Sequence, residues 1–273
     1  MPSSNDYLGQ LFNIKGQVAV VTGADTKLGR IFSEILVSQG AIVIVCDEDH
    51  EGTVILAEEL SRKYKTKVYS FHANLIKEHD AKELFYYVYH RFGRVDILVN
   101  NARVLGSEFA KKGKRFSALN TTDELWDKII EQNLSVSFTV IKSAAKYMLK
   151  QGSGKIINVS SVYGIFIDTT DQIPLAAYDT STGGMITLTR ELAVEFAAGG
   201  VCVNALAPTY IITKDGVKKN KLLNHWKRLT PMRRLGYPSD LVGATLFLSS
   251  GASSFITGEV LSVDGGWAAK GTT

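Results

Sequence analysis

At 273 residues, 45% of them hydrophobic, the chain can bury one substantial core, and no second domain is required. A net charge of +4 is too small to imply nucleic-acid binding, and the longest apolar runs, Val18 to Val21 and Ala41 to Cys46, fall far short of a membrane helix. Only Cys46 and Cys202 are present, both in apolar strand-like runs, which suits buried thiols in a reducing compartment better than a disulfide scaffold; with no signal-peptide layout at the start, the expected location is cytoplasmic.

Residues 1–15 read as an N-terminal extension of a single domain over 1–273. After it, short β-branched runs alternate with helical patterns, which predicts an α/β fold with helices on both faces of a parallel sheet. The first run is Val18 to Thr22. It leads into Thr22-Gly23-Ala24-Asp25-Thr26-Lys27-Leu28-Gly29, and then Leu28, Ile31, Phe32, Ile35 and Leu36 recur at helical spacing until Gly40. A glycine-bearing turn between a strand and a helix is the setting that cradles a pyrophosphate, because glycine permits the tight turn and the close backbone approach. The second run, Ala41 to Asp47, ends on a carboxylate 24 residues after Gly23. There it suits the 2′-hydroxyl of an adenosine ribose and repels a 2′-phosphate, so NAD(H) is favoured over NADP(H). The plainer alternative is that Gly23 and Gly29 only shape a turn and Asp47 caps the next helix.

Further strands are expected at Lys67 to His72, Val95 to Asn100, Lys155 to Ser160, Val201 to Leu206 and Val260 to Val263, about seven in all. A long helix is expected to start near Thr121, with Glu124 completing a capping box, and to run to about Lys150. Another spans roughly Leu175 to Ala198, where Gly199-Gly200 stops it. His50, His72, His79, His90 and His225 show no metal spacing with one another or with the cysteines, and no metal site is assigned.

Several ordered motifs now stand together: the glycine turn, Asn100-Asn101-Ala102, Asn133, Ile156-Ile157-Asn158-Val159-Ser160-Ser161, Tyr178, Val203-Asn204-Ala205-Leu206-Ala207-Pro208 and Val263-Asp264-Gly265-Gly266. From Gly16 to Gly266 the chain resembles the short-chain dehydrogenase/reductase family. The resemblance implies a single-domain Rossmann-type doubly wound sheet and an NAD(P)-dependent interconversion of an alcohol and a carbonyl. Phe12 to Gly16 and the carboxyl-terminal third resemble gluconate-type sugar-acid dehydrogenases; residues 103–119 and Ser161 to Gly164 resemble oxidoreductases of surface-sugar biosynthesis. It also implies a homodimer or homotetramer.

By the same resemblance, Ser161 binds the reacting oxygen, Tyr178 exchanges its proton and Asn133 anchors a relay water. Gly23, Lys27, Leu28, Gly29, Asp47, Asn74, Leu75, Asn101, Ala102, Pro208 and Thr213 fall at cofactor-binding positions, and Tyr163 and Tyr210 join Ser161 and Tyr178 at the substrate. Departures from the pattern are Thr182 in place of a lysine, Lys27, Arg103 and Thr209 in place of glycines, and Asn74 in place of an aspartate. The first matters most. A free phenol titrates about three units above neutrality, so a cation one helical turn along, at position 182, normally tunes it. Three readings follow: an enzyme that recruits Lys27, Arg103 or Lys214 instead, a homologue that binds nucleotide or substrate without turnover, and a structural subunit that assembles through helices 121–150 and 175–198.

Charge is uneven. Segment 103–119 carries +4 and segment 209–236, expected to form a substrate lid, carries +7, which leaves the remainder negative. In an open α/β sheet both segments leave at the carboxyl edge, where a positive field favours a small anionic substrate. Nucleic-acid and membrane partners are not expected.

Overall fold

The computed structural model describes residues 4–101, 118–167, 176–212 and 221–270. In chain order the elements are α1 (Ser4–Leu11), β1 (Val18–Thr22), α2 (Lys27–Ser38), β2 (Ile42–Asp47), α3 (His50–Tyr64), β3 (Tyr69–His72), α4 (Glu78–Phe92), β4 (Ile97–Asn100), α5 (Asp123–Ile130), α6 (Val136–Gln151), β5 (Gly154–Val159), α7 (Ala176–Ala197), β6 (Val201–Pro208), α8 (Lys221–Leu229), α9 (Val242–Ser249) and β7 (Val260–Val263). The seven strands form one parallel sheet in the order β3-β2-β1-β4-β5-β6-β7. Strand order reverses between β1 and β4, which opens a crevice at their carboxyl ends.

Helices cover both faces, so the central strands are buried on both sides. Side chains alternate across the sheet: Ala19, Val21, Val43 and Val45 pack with Phe32, Ile35 and Leu36 of α2 and Leu56 and Leu60 of α3. On the other face Val18, Val20 and Ile44 meet Leu84, Phe85 and Val88 of α4, Ile141 and Met148 of α6, and Leu192 and Phe196 of α7. Among the described residues no helix is long and apolar enough to cross a membrane. Both cysteines are free, but Cys202 is only half-buried, against the expectation of two buried thiols. Complete burial pushes the Cys46 thiol pKa up.

Buried polar bonds tie the carboxyl edge of the sheet to the helices that carry the site. Thr22 Oγ1 donates to Asn100 Oδ1 (3.4 Å), and Asn100 Nδ2 donates to Asn158 Oδ1 and to the Ser137 carbonyl (3.2 Å each). Asn158 Nδ2 continues to Thr189 Oγ1 at 2.9 Å. The chain of bonds therefore spans β1, β4 and β5 and fastens them to α6 and α7. Leaving any member of such a network unpaired would cost about 1–3 kcal/mol, which makes it a rigid base for side chains beyond it.

Strand and helix ends differ from the expected ones for local reasons. β3 begins at Tyr69 because the Val68 N–H is taken by Ser61 Oγ (2.9 Å), and β4 begins at Ile97 because the Val95 N–H is taken by Gln151 Oε1 (3.1 Å). The expected capping box is corrected: Thr122, not Thr121, caps α5, accepting from the Leu125 N–H at 3.2 Å, which leaves Glu124 out. The expected continuous helix over 121–150 is also corrected, since a π-helical turn, Glu131–Ser135, separates α5 from α6. Such turns displace one residue from the regular face and are frequent at functional sites.

Candidate active site

At the end of β1, Gly23 takes φ +57°, and Thr26 caps α2 by accepting from the Gly29 N–H at 3.1 Å. Thr26 Oγ1 donates back to the Gly23 carbonyl (2.7 Å), which also accepts from Asn101 Nδ2 at 3.0 Å. The turn is thus closed on itself and on the end of β4. A Cβ on Gly29 would lie 2.0 Å from Gly23 O, so no larger residue fits beneath the turn. Asp47 lies at the end of β2, and its carboxylate accepts from the backbone N–H groups of Asp25 (3.0 Å), Glu48 (2.8 Å) and Asp49 (3.3 Å). That fixes a negative charge beside the turn with lone pairs to spare. Asp49, not Asp47, caps α3. Leu28 packs partly buried on the core, Leu75 is buried in the opposite core layer, and Pro208 closes β6. Asn74 Oδ1 is engaged by the Ile76 N–H (3.2 Å), so its capacity for an adenine amino group is shared.

Lys27 opens α2, and no carboxylate pairs with it among the described residues, because Arg30 holds the neighbouring Asp25 at 2.6 Å. Partial desolvation lowers the pKa of its ammonium, although its side chain reaches solvent. A cation at a helix N-terminus also opposes the helix dipole. Both penalties are relieved by an anion at the turn. The glycine cradle, the fixed carboxylate and this ammonium together fit a dinucleotide.

The residues expected to be catalytic stand on β5, α7 and the π-helical turn. Ser161 follows β5 and caps a short 3-10 turn, Val162–Gly164, accepting from the Tyr163 N–H at 3.3 Å. That turn lies directly on α7: a Cβ on Gly164 would come within 2.7 Å of the Thr182 carbonyl carbon and oxygen. Close approach through glycine is what brings the serine turn to the helix of Tyr178. Tyr178 is buried with Ile129 and Ala177, and Leu125 and Tyr163 pack against them. Asn133, held in the π-helical turn, donates from Nδ2 to Ser181 Oγ (3.0 Å), and Ser181 Oγ donates to the Tyr178 carbonyl (2.8 Å). Ser181 was not singled out from sequence; a serine three residues beyond the tyrosine on a helix is the signal that could have found it.

Thr182 is buried and turned inward. Its hydroxyl donates to the carbonyls of Tyr178 (3.0 Å) and Asp179 (3.1 Å), and its own carbonyl accepts from Ser160 Oγ (3.0 Å). Position 182 therefore contributes to the backbone of α7 and places no charge beside the phenol. Lys27 opens α2 after β1, which stands two strands from β5 in the sheet. Ala102, Arg103, Thr213 and Lys214 lie outside the described residues.

Tyr163 and Tyr210, expected at the substrate, share a hydroxyl–hydroxyl hydrogen bond of 2.8 Å. Tyr210 also stacks on Trp226 of α8 (centroids 3.4 Å apart, planes 11°) and meets Trp267 edge-on at 6.1 Å. Neither tryptophan was anticipated, because nothing local in the sequence links positions 210, 226 and 267. Within the basic segment 209–236, Arg234 is paired with Asp240 at 2.6 Å, a carboxylate just beyond the segment that also accepts from the Tyr237 N–H (2.7 Å). The Arg234 guanidinium holds the Asp240 carboxyl below its usual range.

A family model described as enoyl-(acyl carrier protein) reductase matches residues 23–268. A 3-oxoacyl-[acyl-carrier-protein] reductase of Aquifex aeolicus is 34% identical over 93% of this chain and 98% of its own. A 2-dehydro-3-deoxy-D-gluconate 5-dehydrogenase of Bacillus subtilis is 33% identical over 97% of this chain and 99% of its own. Among solved structures, a gluconate 5-dehydrogenase from Burkholderia cenocepacia in complex with NADP and tartrate superposes with a TM-score of 0.84 at 28% identity, covering 95% of this chain and 98% of that one. With the parallel sheet and the glycine turn in place and a family model matching most of its length, the chain belongs to the short-chain dehydrogenase/reductase family.

Proposed function

We propose that the protein is an NAD(H)-dependent oxidoreductase that interconverts an alcohol and a carbonyl on a sugar acid, sugar or other anionic small molecule, working with Thr182 where the family resemblance implies a lysine. The observation that carries this reading is the Gly164–Thr182 contact, which sets Ser161 against the helix of Tyr178 while Asn133 joins the same helix through Ser181. The names of the gluconate relatives support the substrate class. Gly23, Gly29 and Lys27 would hold the pyrophosphate, and Asp47 the adenosine ribose. A bound nicotinamide supplies the hydride donor or acceptor. Ser161 Oγ bonds the reacting oxygen, and the Tyr178 hydroxyl gives it a proton in reduction or takes one in oxidation. Asn133 and Ser181 hold the Tyr178 turn of α7 in place.

An assay of NADH oxidation over a panel of sugar acids, ketoses and simple ketones tests this reading. Slow turnover of a hydroxylated substrate is expected, reduced at least about 10²-fold in Tyr178→Phe through loss of the general acid. No turnover of any panel member by protein that binds NADH would sink it. The competing reading, nucleotide binding without turnover, would then stand; the Thr182 hydroxyl tied into the helix backbone favours it.

Cofactor choice gives a separate expectation. The fixed Asp47 carboxylate repels a 2′-phosphate, so NADH should bind at least about tenfold more tightly than NADPH. Asp47→Ser should narrow or reverse the ratio, read by fluorescence titration. Tighter NADPH binding by the unaltered protein would contradict the assignment.

A further inference from the structure

β3 is the terminal strand of the sheet, and among the described residues no strand pairs with its outer edge. The register fixes which backbone groups that edge offers. The Ala73 N–H donates to the Asp47 carbonyl at 3.1 Å, and alternate residues of a strand turn to the same neighbour, so Tyr69 and Phe71 face β2 while Ser70 and His72 face outward. Val68 also faces outward, and its N–H is the one taken by Ser61 Oγ. The N–H and C=O groups of Ser70 and His72 therefore stand where a further strand would bond.

The two faces of this edge differ in chemistry. On the side of α3, Val54, Ala57 and Val68 line an open groove of about 540 Å³, together with the exposed Glu58 and Arg62. On the side of α4, where Tyr69 meets Phe92, Lys67 Nζ and Arg91 Cζ lie over the Tyr69 ring at 5.1 and 5.0 Å. Neither Lys67 nor Arg91 has a carboxylate partner among the described residues. A strand laid along β3 alternates its side chains between these faces. Apolar side chains fit the groove, and carboxylates at the intervening positions meet the two cations. The same cations oppose pairing with a second copy of β3, which would bring a second set of like charges to the edge.

We propose that the outer edge of β3 is a docking site for an extended acidic segment of another protein, which alternates apolar and carboxylate side chains and adds to the sheet as a further strand. Backbone bonds to Ser70 and His72 hold the segment, and the groove and the cations select its side chains. The surface is independent of the oxidoreductase reading, since β5, which leads to Ser161, lies four strands away.

Fluorescence anisotropy on the full chain tests the docking, with an end-capped, fluorescein-labelled peptide of about seven residues that alternates valine and glutamate. A valine–lysine counterpart and a valine–glutamate peptide with a central proline serve as controls. The valine–glutamate peptide should bind at least about tenfold more tightly than either. Ser70→Pro removes an outward N–H at an edge where proline is tolerated, and should weaken binding about three- to tenfold with NADH binding unchanged. Lys67→Glu combined with Arg91→Glu should reverse the preference toward the lysine peptide; if Ser70→Pro lowers the melting temperature, this charge-reversed protein decides alone. Absence of binding, equal binding of the lysine or proline peptide, or an unreversed preference in the charge-reversed protein would each overturn the site. So would self-association of the unaltered chain that Ser70→Pro abolishes, because the edge would then belong to a second copy.

Discussion

Replacing Thr182 with lysine should raise the rate of carbonyl reduction at pH 7 by about 10²- to 10³-fold, the largest kinetic gain expected of a single substitution in this chain. On a helix, residues four apart share a face, so an ammonium at 182 lies beside the Tyr178 side chain. A nearby cation stabilises a phenolate, and each pKa unit is worth about 1.4 kcal/mol between protonation states. Reduction needs the phenol to donate and oxidation needs the phenolate to accept, so both directions gain from a better-matched group. Thr182 supplies none of this, since its hydroxyl is spent on the carbonyls of Tyr178 and Asp179.

The same substitution has a structural cost. Thr182 is only 3% exposed, and the serine turn leaves no room on its backbone side. An ammonium introduced there loses hydration and needs the phenol, or the ribose of a bound cofactor, as its partner. A fall in melting temperature that bound NADH partly reverses is therefore expected alongside the rate gain. The kinetic check is kcat with its pH profile, whose alkaline or acid limb should move toward neutrality. A folded, NADH-binding Thr182→Lys protein with the parental rate and profile would show that Tyr178 does not carry the proton.

Elements with one local cause were legible in the sequence, and those assembled from distant segments were not. All seven strands stand where strand-like runs were found; the five central ones, β2, β1, β4, β5 and β6, are buried on both faces, while β3 and β7 at the edges are only partly buried. Their first residues shifted where a side chain elsewhere claimed the N–H, as Gln151 does for Val95 and Ser61 for Val68. The π-helical turn at Glu131–Ser135 carries no propensity signature; it lies against α7. In the candidate site, Ser161, Tyr178 and Asn133 were singled out by their motifs, and Asn133 reaches the Tyr178 turn of α7 through Ser181. Ser181, which joins two of them, and the stack of Tyr210 on Trp226 depend on how far α7 and α8 travel before they meet their partners. The pairing of Arg234 was out of view for the same reason: Asp240, its partner, lies just beyond the segment that was summed.

Gly29→Ala should both destabilise the chain, by about 2–4 kcal/mol, and weaken NADH binding by at least about 100-fold. The added methyl would lie 2.0 Å from Gly23 O, 2.7 Å from Ala24 Cα and 2.8 Å from the Gly23 carbonyl carbon, all backbone atoms with no rotamer to yield. The turn must open, and opening it breaks the bonds from Thr26 and Asn101 to the Gly23 carbonyl. Those bonds hold the amides that would face a pyrophosphate, so stability and affinity fall together. Gly183→Ala provides the contrast. Gly183 lies within α7, and the nearest atom to its added Cβ is Gly164 O at 3.6 Å, an ordinary contact. There the change should stabilise by about 0.5–1 kcal/mol, because alanine forms helix more readily than glycine. Thermal unfolding and NADH fluorescence titration of both variants decide the matter. A Gly29→Ala protein with parental melting temperature and affinity would mean that the turn is looser than its hydrogen bonds imply and that close packing beneath it does not set the cofactor site.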